Sequence, residues 1–339
     1  MDRITAFSPR GWSMTVALSL LALLPIYVAV TGQTFYLDLA SRLMILGMAA
    51  VSLNLILGNG GMISFGHAAY LGIGAYCVGI PAYYGIYDGL IQIPLAVACS
   101  ALFALVTGAI CLRTKGVYFI MITMAFTQMV FYGFVSMEEF GGDDGLVIDL
   151  RSQFAGLLDI EGATGLYYFI LISLLAVLFL VYRITRSRFG MVIEGARANE
   201  RRMQAIGYDT YRYRLVCYVI AGAICGYAGA LLGNFTHFIS PEMMDWTASG
   251  ELIFMVVLGG TGTLFGPVLG AAAFVLLEEW LSTITIYWQF LFGALLIAVV
   301  LFWRGGINGF VDWAADQIPG RIITRTRDWI RRAPWRQRS

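Results

Sequence analysis

Long apolar stretches without charge alternate with short polar ones along most of the chain. Met14–Gln33 and Leu166–Tyr182 contain no charged residue at all. About 20 apolar residues, each rising about 1.5 Å along a helix, cross a hydrocarbon core of about 30 Å. The pattern predicts about ten membrane segments, near 14–31, 37–57, 64–84, 91–112, 117–135, 165–182, 215–235, 250–262, 264–283 and 285–303. The eighth is short enough for a broken or re-entrant helix. A membrane β-barrel would instead alternate residue by residue over segments of about ten, and that alternation is absent. The expected fold is therefore all-α and polytopic, with some segments short or broken. Arg3 and Arg10 precede the first segment as they would a signal peptide. Its apolar run is long, however, and no small-x-small cleavage site follows, so it is expected to remain as a span.

Composition agrees and adds an orientation. Of the 339 residues 59% are hydrophobic and 13% charged, against about 25% charged in a soluble domain. Basic residues gather at the cytoplasmic ends of short loops. With the N-terminus inside, 20 of the 22 basic residues fall on inner segments, and only Arg42 and Arg151 do not. The outer loop 136–164 carries seven acidic residues against Arg151 alone. Both termini are thus expected in the cytoplasm. The chain divides into an N-terminal stretch 1–13, a membrane region 14–303 with an inner loop 183–214, and a basic tail 304–339. In the tail, Arg327, Arg331 and Arg332 alternate with Trp329, Ile330 and Trp335. That composition suits a segment lying on anionic lipid headgroups, and beside a final span it favours the bilayer over nucleic acid.

Few groups in the spans carry chemistry. Cys77, Cys99, Cys111, Cys217 and Cys225 lie in or beside apolar runs and form no CxxC pair, which suggests small buried hydrophobes rather than a metal site or disulfides. The two histidines, His67 and His237, are predicted on opposite sides, which argues against a membrane-embedded enzyme. Arg42, Glu278 and Glu279 are placed near outer ends, where long side chains reach the interface. No GxxxxGK[ST] loop surrounds the sole lysine, Lys115, so no ATP site is expected and ATP drive would need a separate polypeptide. Rows of small residues (Gly222, Gly226, Ala230; Gly229, Gly233; Gly262, Gly266, Gly270) suit close helix packing. Pro267 suggests a helix start after a break.

The stretch NLILGNGGMISFGHAAYLGIGAY (54–76) interrupts this pattern with Asn54, a Gly-Asn-Gly-Gly cluster, Ser64, Gly66 and His67. Gly58–Gly61 supply a break and Ser64 a cap for the next helix, whose first amides favour an anionic group. Two readings stay open: a cytoplasmic turn, or a non-helical segment lining a wet path, the setting in which such backbone is tolerated at membrane depth. The inner loop SRFGMVIEGARANERRMQAIGYDTYRYRL (187–215) predicts one helix over 190–206, ended by Gly207. Met191, Ile193, Met203 and Ile206 lie among its charges as anchors for another chain.

Together with RTKGVYFIMITMAF (113–126), FGGDDGL (140–146) and VVLGGTGTLFGPVLGA (256–271), these stretches resemble the permease subunits of branched-chain amino acid ABC importers, in particular the LivM type. The resemblance runs over about residues 35–305. It implies a second homologous permease subunit, two cytoplasmic ATPases that bind the ATP, and a periplasmic substrate-binding protein, all at a bacterial inner membrane. It implies no catalytic residue, metal or cofactor in this chain. Carried over by residue, the ATPase-coupling loop holds Glu194, Gly195, Arg197, Glu200, Arg201, Ala205 and Gly207, while Arg201-Arg202-Met203 departs from the Glu-Ala-Ala of the general importer pattern. Asn54, Ser64, Gly66 and His67 are expected to line or shape the substrate path. The implied substrates are leucine, isoleucine and valine, with urea, amides or aromatic acids as alternatives. The rival class is a stand-alone carrier or channel.

Overall fold

The computed structural model describes residues 19–28, 31–154, 162–302 and 306. Twelve helices follow in order among them. They are α1 (Ser19–Val28), α2 (Phe35–Asn54, continued by one wide π-type turn, Leu55–Asn59), α3 (His67–Tyr83), α4 (Gly89–Cys111), α5 (Val117–Val135) and α6 (Ala163–Thr185). Then come α7 (Arg188–Ala198), α8 (Glu200–Ala205), α9 (Thr210–Thr236), α10 (Trp246–Gly259), α11 (Gly266–Ile284) and α12 (Trp288–Phe302). A two-residue ladder joins β1 (Leu146–Val147) to β2 (Phe238–Ile239), antiparallel. A helix occupies each of the ten apolar windows. Six, at 35–59, 89–111, 117–135, 163–185, 210–236 and 266–284, are long and apolar enough to cross a membrane. The fold is all-α and polytopic. Residues 1–13 and the basic tail beyond 306 lie outside the described residues.

Missing side chains set the helix order. Alpha9 packs against α3, α4 and α2, and α2 in turn holds α6, α10 and α11. Where α9 meets α3, a Cβ on Gly229 would strike the backbone of Leu71, and one on Gly74 would strike that of Gly226. Backbones in contact at these points leave no room for alanine. The predicted α9 row therefore forms the central seam, with Gly226 against Ser100 of α4. The row proposed after it is different: Gly262 sits in a turn with φ +77, and Gly266 and Gly270 of α11 instead meet Gly259 and Met255 of α10. Pro267 does stand in the first turn of α11.

Burial grades from centre to rim. The best apolar window of α2 is 78% buried and that of α5 only 17%, so α5 turns most of its surface outward, with Tyr118, Met121 and Met129 exposed. In the seam, Tyr70 and Tyr218 meet edge to face, their rings 6.0 Å apart, and Phe103 and Phe119 extend the cluster. At the ladder end, Asn234 of α9 fastens the incoming chain by accepting from the Ser152 amide at 2.8 Å and its hydroxyl at 2.7 Å. The loop expected over 136–164 is thus tied down through residue 154.

Candidate functional site

Two helices begin inside the bundle rather than at its ends. Alpha3 starts at His67, whose carbonyl accepts from Cys225 Sγ at 3.4 Å, near the middle of α9. Its ring bonds Ser52 of α2 through Nε2 at 2.9 Å. Alpha10 starts close by: Ser249 in its first turn accepts from the Ala68 amide at 2.9 Å, and Asp245 before it accepts from Gln128 of α5 at 2.7 Å. Alpha3 runs from there toward the ladder end, and α10 toward the end that carries α7 and α8. The chain reaches each start through non-helical backbone, 60–66 in the first case and 237–245, with one short turn, in the second.

Such backbone survives at this depth because side chains satisfy it. The Phe65 amide donates to Thr123 Oγ1 at 3.2 Å and its carbonyl accepts from Thr127 at 3.2 Å. Ser64 Oγ accepts from the Gly66 amide at 3.1 Å and lies 3.5 Å from the Tyr218 hydroxyl. The cap of α3 is Gly66 and not Ser64, which acts one step earlier. The Ala68 amide, expected to be free for an anion, is engaged by Ser249. Asn54, Ser64, Gly66 and His67 are all buried. Asn54 makes a bridge: its Nδ2 donates to the Thr263 carbonyl at 2.8 Å and its Oδ1 accepts from the Gly262 amide at 2.9 Å. It thereby joins the end of α2 to the turn between α10 and α11.

The same corner receives the 188–205 segment. Arg197 of α7 donates through Nη1 to the Gly58 carbonyl, and its stem covers Gly61, which turns the chain at φ +69. Asn59 Nδ2 donates to Glu194 at 3.2 Å. The single helix expected over 190–206 is two. Asn199 leaves helical geometry (φ −160, ψ 98), and its side chain caps α8 by accepting from the Arg202 amide at 3.0 Å, the local competition with helix that asparagine favours. Gly207 follows α8 at φ +99. Glu200 pairs with Lys115 and, at 3.3 Å, with Arg214. Partial burial pushes its carboxyl up, but the Lys115 hydrogen bond and the two positive charges outweigh that and hold it below the usual carboxylate range. Glu194, Arg197, Arg201, Ala205 and Gly207 lie exposed, while Gly195 packs on Met203. Of the expected anchors, Met191 and Ile206 point outward and Ile193 is buried.

A family model for the branched-chain amino acid transport system, permease component, matches residues 35–300. The chain belongs to that permease family. It is 27% identical over 319 residues to the high-affinity branched-chain amino acid transport permease LivM of Salmonella typhimurium, covering 87% of this chain and 75% of that protein. LivM of Escherichia coli is 26% identical over 290 residues, covering 79% and 68%. LivH, a probable branched-chain amino acid permease of Methanocaldococcus jannaschii, is 29% identical over 174 residues, covering 46% and 51%. No solved structure matches. This is a LivM-type permease and a multi-pass membrane protein.

Several residues of this permease's inner structure had no signal in the sequence. Ser249, Thr123, Thr127 and Gln128 read there as ordinary small polar residues within apolar runs, and only the meeting of distant helices gives them partners. Arg42 and Glu278, each expected near an outer end, have no sequence signal for their pairing, which the structure shows at 3.0 Å.

Proposed function

We propose that this chain is one transmembrane subunit of an ATP-binding-cassette importer that carries leucine, isoleucine and valine, or a related small polar solute, into the cell. The observation that carries the reading is the bonding of the α7–α8 segment to the broken end of α2 and, through Asn54, to the α10–α11 turn. A push on α7 from outside the membrane reaches both interrupted helices through Arg197, Gly58 and Asn54. In this reading Glu194, Gly195, Arg197, Glu200, Arg201, Ala205 and Gly207 form the surface that ATPases drive, with Met191 and Ile206 as apolar anchors. Asn54, Ser64, Gly66 and His67 shape the path by bracing the end of α2 and the start of α3.

Two cytoplasmic ATPases would bind the nucleotide, so the chain needs no cofactor of its own. A second homologous permease would complete the path, and a periplasmic binding protein would deliver the solute. The charge pattern supports ten crossings of the bacterial inner membrane with both ends in the cytoplasm. The test is uptake of labelled leucine by cells with and without the chain, challenged with isoleucine, valine, urea and benzoate. Loss of uptake on deletion, with competition by isoleucine and valine alone, is expected. Leucine uptake by the chain in vesicles lacking any ATPase would instead establish a stand-alone carrier.

A further inference from the structure

Three ionisable side chains from three helices come together on one open face. Arg42 of α2 donates through Nη2 to both carboxylate oxygens of Glu278, at 3.0 and 3.1 Å. Their side chains are 41% and 20% exposed, so the pair is not sealed within the protein. Glu251 stands on α10, which packs against both α2 and α11, and lies within electrostatic reach of both charges. It is exposed and, among the described residues, has no ion pair or hydrogen bond through its side chain. The location is internal: Arg42 stands two turns inside α2, and Glu251 follows by two residues the Ser249 that holds the start of α3.

An ionised side chain at the bilayer centre costs about 2.5–3.5 kcal/mol on insertion scales. A face carrying three such groups therefore meets water or protein, not lipid tails. Two carboxylates against one guanidinium leave an excess of negative charge that a simple ion-pair contact between subunits does not need. The set complements a small zwitterion. A guanidinium accepts a carboxylate in a two-pronged pair, and glutamates accept from an ammonium. One turn along α10 from Glu251, Phe254 is 40% exposed and offers apolar surface for the rest of the molecule.

We propose that Arg42, Glu278 and Glu251 form a site on the transport path for the charged head of a free amino acid, the guanidinium taking its carboxylate and the glutamates its ammonium. This rests on the importer reading above. The site selects for the zwitterion, and the apolar side chain packs along Phe254.

The experiment uses the whole importer in vesicles: both permeases, both ATPases and the binding protein. Glu251→Cys is placed in a chain whose half-buried Cys77 and Cys99 are changed to serine, and is treated with a positively charged methanethiosulfonate. Labelling is expected, slowed at least threefold by leucine. Absence of labelling overturns the site, as does labelling that leucine leaves unchanged while uptake by the same cysteine variant is intact. Phe254→Cys serves as the second labelling position if Glu251→Cys lowers the membrane level. Exchanging the pair, Arg42→Glu with Glu278→Arg, is expected to cut uptake at least tenfold with ATP hydrolysis retained. Uptake within twofold of the unmodified assembly would make the pair structural and overturn the site. An unmodified assembly that takes up no leucine overturns the amino acid assignment on which the site rests.

Discussion

Replacing Arg197 by alanine tests whether a push on the α7–α8 segment enters the membrane as the importer reading requires. Arg197 Nη1 donates to the Gly58 carbonyl in the wide turn that ends α2. A hydrogen bond with one charged partner contributes about 1.5–3 kcal/mol, and each ~1.4 kcal/mol is tenfold in an equilibrium. The neighbouring link, Asn59 to Glu194 at 3.2 Å, is exposed and weaker. Without Arg197 the linkage between α7 and α2 should therefore fall by about 10- to 150-fold. In reconstituted importer, leucine uptake should drop at least tenfold while ATP hydrolysis continues, and Arg197→Lys should recover part of it as a single-pronged donor. Unchanged uptake per ATP at normal membrane level would refute this route.

Three further outcomes are expected. Ser249→Ala leaves the Ala68 amide without its partner inside the bundle, a loss of about 1–3 kcal/mol, and should lower the thermal midpoint in detergent; an unchanged midpoint would mean that another group satisfies the amide. Gly74→Val forces α3 off the Gly226 backbone, and such overpacking costs about 1–3 kcal/mol or more, so the folded fraction in membranes should fall, whereas Gly133→Ala, with open space beside it, should not change it. Glu200 has a carboxyl held below its usual value, so its contribution to docking α8 is complete above the ordinary carboxylate range and is lost as pH falls through the lowered value. Hydrogen exchange in α8 should be no less protected at pH 6 than at pH 8 once corrected for intrinsic rate; a loss of protection within that window would refute the pairing.

Apolar runs and glycine spacing carried most of the fold. They located the ten helices, the break near Gly58 and the α9 seam, because each depends on residues adjacent in sequence or one turn apart. Long-range pairing was not legible. The eighth segment read as 250–262, yet α10 begins at Trp246 because Asp245 and Ser249 find partners on α5 and α3. Arg42 read as an interfacial arginine, since Glu278 lies 236 residues away. Asn199 carries a local signal that helix composition on both sides hides: it caps better than it continues. For the residues proposed to shape the path, chemistry alone could not separate a cavity wall from a buried brace, and Asn54 and His67 have the geometry of braces.

The interrupted start of α3 also governs how the protein is made. At 17 residues this helix is shorter than the roughly 20 that a bilayer requires, and its Gly74 waits for the backbone of Gly226. Alpha9 leaves the ribosome about 130 residues later, which at about 5–20 residues per second is a delay of about 6 to 25 s. Throughout that interval the glycine face has no seam to fill, and the polar backbone of residues 62–66 still lacks Thr123 and Thr127 for part of it. Biosynthesis, more than the finished fold, is where a slowed or truncated chain is exposed to membrane quality control.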